Sequence, residues 1–357
     1  MYDIAIIGAG PAGATLARLI GGKYRVLLVD KRRLDEDADD AECRKCCGGL
    51  LAPDAQKMLA RLGLGLPKNV LVEPQLFVVR AIDIPRRLER YYQRFYINMD
   101  REKFDRWLLS MVPQGVDARF GWRFKGYEAE SDHFKITLTD NGGTIAENAR
   151  ILVGADGASA RVRQFALPAA PTPRKYLAIQ EWVEADASLP YFSALFDPEI
   201  TDYYCWTIPK NGQLIVGAAL HPRDETSDKF DRLKGKLGAF GFRLGKTLRR
   251  EGTFLLRPTT TRQLSTGTKG IALLGEAGGW ISPSSAEGLS YAFRSGLLLA
   301  EALQAGLDGF ERRYARAMRQ LRWNLLLKSW KSRFLFSPVL RNAAMKSGLQ
   351  SMEVPHA

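Results

Sequence analysis

The 357-residue chain predicts an α/β fold: a doubly wound, mostly parallel sheet, a separate β-sheet domain and a C-terminal helical segment. Three observations predict it. A G-x-G-x-x-G run stands between two short apolar strands at the N-terminus. Two later apolar runs, Ile151–Val153 and Ile271–Leu274, each end at a glycine with an acid close behind. Between the N-terminal unit and Ile271, Asn-Gly pairs join alternating runs in the manner of hairpins.

Composition narrows the class. With 46% hydrophobic and 25% charged residues, the chain can bury the cores of two domains. The net charge of +13 favours anionic partners: phosphates, nucleic acid or a lipid surface. Three histidines, one of them His356, argue against a His base or a His-rich metal site. Four cysteines, three bunched between Cys43 and Cys47, make no disulfide framework, so a reducing, cytoplasmic setting is expected. No run reaches the ~18 apolar residues of a membrane span. Asp3 stands where a signal peptide would carry basic residues.

The first thirty residues read as strand, turn, helix, strand. Ile4–Ile7 and Val26–Val29 are buried-strand runs around Gly8-Ala9-Gly10-Pro11-Ala12-Gly13. Gly8 permits the tight turn, Gly10 lets a pyrophosphate approach the backbone, and Gly13 lets the helix pack on the sheet. Gly8, Gly10, Pro11, Ala12 and Gly13 are therefore expected to cradle a dinucleotide on the helix N-terminus. Asp30, at the tip of the second strand, is placed to accept from ribose hydroxyls, and Lys31, Arg32 and Arg33 either help hold the phosphate or adenine or are simply solvated.

The strand from Ala149 runs into Gly154-Ala155-Asp156-Gly157, with Arg161 and Arg163 opening a helix. A strand at Ile271–Leu274 ends at Gly275-Glu276, and the loop to Pro283 leads to a helix expected near Ser285. "YYCWTIPKNGQLIVGAAL" and "FKITLTDNGGTIA" are hairpins turning at Asn211-Gly212 and Asn141-Gly142. Alternation places Tyr204, Trp206 and Ile208 on one face. No second G-x-G-x-x-G follows, so the sequence offers a single dinucleotide-binding fingerprint.

These segments, with "NMDREKFDRWLL", resemble the FAD-dependent oxidoreductases of the para-hydroxybenzoate hydroxylase fold from Met1 to about Ala305. The resemblance implies a Rossmann-like FAD-binding domain over residues 1–75, 98–165 and 265–310. It implies a β-rich substrate domain over 76–97 and 166–264, followed by a basic helical segment over 311–357. By resemblance, Ala155, Asp156 and Gly157 lie near FAD and the nicotinamide approach. Gly275 and Glu276 meet the ribityl and pyrophosphate portion, and Pro283, Gly288 and Leu289 face the isoalloxazine ring. Arg101 reaches the cofactor. Glu276 departs from the family's usual Asp.

Tyr204-x-Trp206-x-Ile208-Pro209 resembles the Y-x-W-x-F-P element of the geranylgeranyl reductase family, with Ile for Phe. "CCGGLLAP" resembles that family's Cys-Gly-Gly element, with Cys47 the matched position and Gly48 and Gly49 allowing approach to the ring. The resemblance implies FAD, with NAD(P)H or a protein donor as reductant, and reduction of carbon–carbon double bonds in an isoprenoid or other lipid. Cys47, Tyr204 and Trp206 are the candidate catalytic residues. Cys47 is read as a proton donor, as a residue that only shapes the pocket, or as an inert packed thiol. A Cys43/Cys46/Cys47 metal site lacks a second ligand pair, and a Cys46–Cys47 disulfide would be strained.

From Glu311 the chain reads as helix with almost only positive charges, interleaved by Tyr314, Leu321, Leu325, Trp330, Phe334 and Leu335. Such a segment suits either peripheral contact with the anionic inner face of a membrane or a hairpin packed on the FAD domain with a solvated basic side. Nucleic acid is not expected, since no recognition module is present. The rival functions are an aromatic or polyketide monooxygenase, a flavin halogenase and a non-catalytic flavin-binding regulator.

Overall fold

The computed structural model describes residues 1–34, 44–185 and 190–354. The N-terminal unit is β1 (Tyr2–Ile7), α1 (Pro11–Ile20) and β2 (Val26–Asp30). Next come β3 (Leu50–Leu51), α2 (Pro53–Arg61), β4 (Leu76–Asp83), β5 (Leu88–Asn98) and α3 (Arg101–Ser110). Then follow β6 (Asp117–Phe120), β7 (Arg123–Ala129), β8 (Phe134–Thr139), β9 (Thr144–Gly154) and α4 (Arg161–Ala166). The middle holds β10 (Arg174–Glu184), β11 (Tyr191–Phe196), β12 (Cys205–Lys210), β13 (Gln213–Leu220), α5 (Thr226–Leu237) and β14 (Thr247–Arg257). The chain ends with β15 (Gly267–Thr268), β16 (Ile271–Leu273), α6 (Leu289–Gln304), α7 (Phe310–Ala317), α8 (Arg319–Phe336) and α9 (Pro338–Ser347).

The first sheet has the order β15-β16-β9-β1-β2-β6, with β8 on β9 and β7 on β8. Its central pairs are parallel, with Ile4 opposite Val26 and Ile151. Alternation decides which layer each residue enters. Ile4, Ile6, Val26 and Leu28 pack with Leu16, Ile20, Leu299 and Leu303 of α1 and α6. Ala5, Ile7, Leu27 and Val29 face Ile136 and Leu138 of β8. With both faces covered, the strands are apolar throughout, and each fully buried Leu or Ile contributes about 2–3 kcal/mol.

The second sheet has the order β14-β10-β13-β12-β11-β4-β5-β3. Asn211 and Gly212, both at positive φ, form the tight turn between β12 and β13. Cys205, Leu214, Val216 and Ala218 face α5 through Phe230, Leu233 and Leu237. Tyr204, Trp206, Ile208, Ile215 and Ala219 face the other way, towards Tyr96 and Tyr203. Leu50 and Leu51 fall in the first sequence segment yet extend this second sheet by pairing with β5, so the Cys-Gly-Gly stretch bridges the two sheets.

One local reading needs correction. The helix expected near Ser285 starts at Leu289, because Ala286 adopts φ +52 and breaks any helical path through the serines. The C-terminal segment packs through its inner side: Tyr314, Leu321 and Leu325 lie in the core shared by α1 and α6. Trp330 and Phe334 are exposed.

Candidate functional site

The N-terminal turn is built for a close backbone approach. A Cβ at Gly13 would lie 1.9 Å from Gly8 O, and one at Gly8, whose φ is +110, would lie 2.4 Å from Ala155 O. The G-x-G-x-x-G turn and the Asp156-Gly157 loop therefore touch. A Cβ at Gly275 would be 3.5 Å from that of Ala12, which brings the third segment to the same place. Around Gly10 the space is open, with Arg32 Nη2 the nearest atom at 4.0 Å. Gly10 begins α1 without a side-chain cap and Pro11 follows, so the first amides of the helix lack a side-chain acceptor from that position.

Asp30 caps this turn from the end of β2. It accepts from Ala9 N at 2.8 Å and pairs with Arg32 at 3.2 Å. Arg32 also pairs with Asp105 at 2.8 Å, and Asp105 with Arg101 at 2.7 Å. Arg101 Nη1 then donates to Cys47 Sγ over 3.3 Å, and Gly49 N donates to the same sulfur over 3.4 Å. A chain of charges thus links the dinucleotide turn to the cysteine. Burial opposes the charge on Asp105, but Arg101 and Arg32 outweigh it and hold the carboxyl below its usual range. Lys31 is exposed and lies outside this chain.

Asp156 accepts from Arg161 N at 2.5 Å and Val162 N at 3.3 Å through one oxygen. Its other oxygen, Oδ1, is buried without a partner among the described residues. Burial pushes its pKa up to about 6. Gly157, at φ +62, follows, and Glu276 Oε2 lies 3.9 Å from its Cβ position. Glu276 uses Oε1 to accept from Leu256 N at 2.8 Å, so the extra methylene of Glu over Asp reaches β14. Burial raises its pKa.

The loop from Ser282 to Gly288 is held by the second sheet. Tyr204 Oη donates to Ser285 O at 2.9 Å, and Ala286 N donates to Tyr203 Oη at 3.0 Å. Pro283 O accepts from Arg257 Nε at 3.2 Å. Glu287 accepts from Ser290 N and Ser290 Oγ, both at 2.6 Å, and so caps α6. A carboxyl therefore already stands at the helix end that the resemblance sets against the isoalloxazine ring, although burial raises its pKa. Gly288 sits 3.7 Å, at its Cβ position, from Ile281. Leu289 packs on the cluster of Leu51, Met99 and Phe104.

The Cys-Gly-Gly turn lies directly on β12. A Cβ at Gly48 would be 2.5 Å from Ile208 Cδ1, and one at Gly217 would be 2.2 Å from the Trp206 ring. Gly48 lets the cysteine loop close on Ile208, and Gly217 lets the Trp206 ring lie over β13. Gly49 has φ +61, and its Cβ would strike Met99 O at 2.3 Å.

Two residues here were missed by the sequence reading. Lys210 is buried and donates to Met99 O at 2.6 Å, Asn98 Oδ1 at 2.8 Å and Gly49 O at 3.3 Å. Burial pushes its pKa down to about 7. The alternation that turned Tyr204, Trp206 and Ile208 inward also turns Lys210 inward, and that signal was available. Asp105 is the other, signalled by its i+4 spacing from Arg101. A cleft of about 290 Å³ opens here, lined by Cys47, Gly49, Arg101, Trp182, Lys210 and Arg249 among others.

Cys46 and Cys47 are free thiols, and burial pushes the Cys46 thiol up, away from thiolate chemistry. Cys43 lies outside the described residues. Among the described residues, no three His, Cys, Asp or Glu side chains gather as metal ligands.

The open space at Gly10, the uncapped start of α1 and the unpartnered Asp156 oxygen fit an adenine–flavin dinucleotide. Gly8, Gly10 and Gly13 would hold the pyrophosphate, with Asp30, Asp156 and Glu276 near the hydroxyl-bearing parts.

Comparison with known proteins agrees. The family described as FAD binding domain matches residues 1–230. Protein CbrA of Escherichia coli K12 is 40% identical over 348 residues, covering 98% of this chain and 97% of that protein. A geranylgeranyl bacteriochlorophyll reductase-like protein from Thermoplasma acidophilum superposes with a TM-score of 0.81 at 17% identity, over 99% of this chain and 92% of that one. PqsL of Pseudomonas aeruginosa, in complex with 2-aminobenzoylacetate, gives a TM-score of 0.70 at 18% identity, over 98% of this chain and 99% of that one. With the converging glycine turns and the matched family, the chain belongs to the FAD binding domain family and is an FAD-dependent oxidoreductase of the para-hydroxybenzoate hydroxylase-type fold.

Proposed function

We propose that the protein reduces carbon–carbon double bonds of an isoprenoid or similar lipid. One observation carries the reading: the Cys47-Gly48-Gly49 turn packs on the inward face formed by Tyr204, Trp206 and Ile208. An apolar chain laid on that wall would bring its double bond beside the cysteine. Bound FAD, once reduced, supplies hydride to the substrate. Cys47 supplies the proton, and the guanidinium of Arg101, 3.3 Å from the sulfur, balances the charge left behind. Tyr204 and Trp206 exclude water and orient the apolar chain rather than exchange protons; burial raises the Tyr204 phenol well above its usual pKa. NAD(P)H or a protein donor supplies the electrons. The reductase-like name of the Thermoplasma fold relative supports the reading.

A second reading, an aromatic or polyketide monooxygenase, is favoured by the guanidinium groups of Arg101 and Arg249 in the cleft, which suit an anionic aromatic substrate. The test is product analysis. With FAD and dithionite under argon, a geranylgeranyl lipid should gain two hydrogens per reduced double bond. Cys47→Ala should lower that rate about 100-fold while the yellow colour is kept. A lipid returned unchanged, with oxygen inserted into an aromatic acid once air enters, would establish the second reading instead.

A further inference from the structure

The outer side of the C-terminal helices carries a pattern that the redox site does not use. On α8, Leu321 and Leu325 are buried while Trp323, Leu327, Trp330 and Phe334 are 67%, 69%, 58% and 57% exposed. Their spacing of four, three and four residues places all four on one stripe. Scattered exposed apolar residues are ordinary, but four large ones in line, two of them Trp, are not.

The same stripe continues backwards into α7. Arg312, Arg316 and Arg319 precede Trp323 at steps of four, three and four, and Met318 joins the helices with near-helical backbone at φ −73 and ψ −4. All three arginines are exposed, as are Lys331 and Arg333 beside the aromatic half. From Arg312 to Met352 the sequence holds ten Lys and Arg and no Asp or Glu. A second copy of this face would meet like charge, which opposes self-association. Trp and Phe framed by Lys and Arg match the interface of an anionic bilayer, where rings sit at headgroup depth and cations meet phosphates.

The inner side of α8 adds a link to the cleft. Ser332 Oγ donates to Pro283 O at 3.1 Å, and Phe336 stands 4.9 Å from the Tyr203 ring. The residues that hold the flavin-side loop are thus one helix thickness, about 10 Å, from the exposed stripe.

We propose that α7 and α8 dock lengthwise on an anionic phospholipid surface, the aromatic stripe entering the interface and the arginines binding headgroup phosphates. The docking does not depend on which substrate the flavin reduces.

The FAD-loaded full-length protein should sediment with phosphatidylglycerol vesicles, weakly with phosphatidylcholine, and less at high salt. Trp323→Ser with Trp330→Ser should weaken binding at least about tenfold. Arg312→Gln, Arg316→Gln and Arg319→Gln together should weaken it on the order of 100-fold. Flavin absorbance unchanged in both variants shows that the fold is intact. Absence of binding to phosphatidylglycerol, or binding unmoved by both sets, overturns the proposal. So does a dimer on a sizing column that the Trp variant dissociates, or tighter binding to duplex DNA than to vesicles.

Discussion

Asp156 shows how one buried atom ties stability to the cofactor site. Its Oδ1 has no partner among the described residues, and its pKa is raised from 3.8 to about 6 by burial. A raised carboxyl contributes stability that is fully present below the unfolded pKa and is lost as pH rises through the folded one. The cofactor-free chain therefore carries a penalty above about pH 6. Asp156→Asn should stabilise it at pH 8 by up to about 3 kcal/mol, a gap that closes as pH falls from 6 towards 4. Melting curves across that range check this; a gap independent of pH would show that the carboxyl titrates normally. The residue scale is also where sequence reading fell short. Asp105 and Lys210 matter through partners far along the chain: Arg32 for the first, Met99 and Gly49 for the second. Spacing hinted at both side chains but not at what they would meet.

At the scale of elements, the G-x-G-x-x-G turn was legible because the contact that requires Gly13 is local. Gly13 must be glycine where a helix crosses the turn that precedes it. Gly13→Ala would drive a methyl to 1.9 Å from Gly8 O, so α1 must shift off the sheet. The purified variant should be colourless and hold FAD at least about 100-fold more weakly, read by flavin fluorescence titration; wild-type affinity would contradict the close packing. The start of α6 was less legible. Pro283 and the serines read as a helix entry, but Tyr203 and Tyr204 hold that loop from another sheet. Likewise β3, with only Leu50 and Leu51, is too short to announce which sheet it joins.

On the scale of the whole molecule, the two sheets meet at the Cys-Gly-Gly turn, and α8 lies against the Pro283 loop and Tyr203 through Ser332 and Phe336. No helix among the described residues is long and apolar enough to cross a membrane. What the sequence could not show was that the tail is both things at once: core on its inner side through Tyr314 and Leu325, exposed aromatic and basic on its outer side. Periodicity shows that a helix has two faces; only packing shows which one is covered.

The reading as a whole turns on whether an unsaturated lipid, by itself, can take the electrons. The direct measurement is the absorbance of flavin that has been reduced in the protein and sealed from oxygen, followed after a prenyl lipid is added. The account predicts that the oxidised spectrum returns, with one double bond saturated for each flavin reoxidised. A spectrum that stays bleached until air is admitted would contradict it.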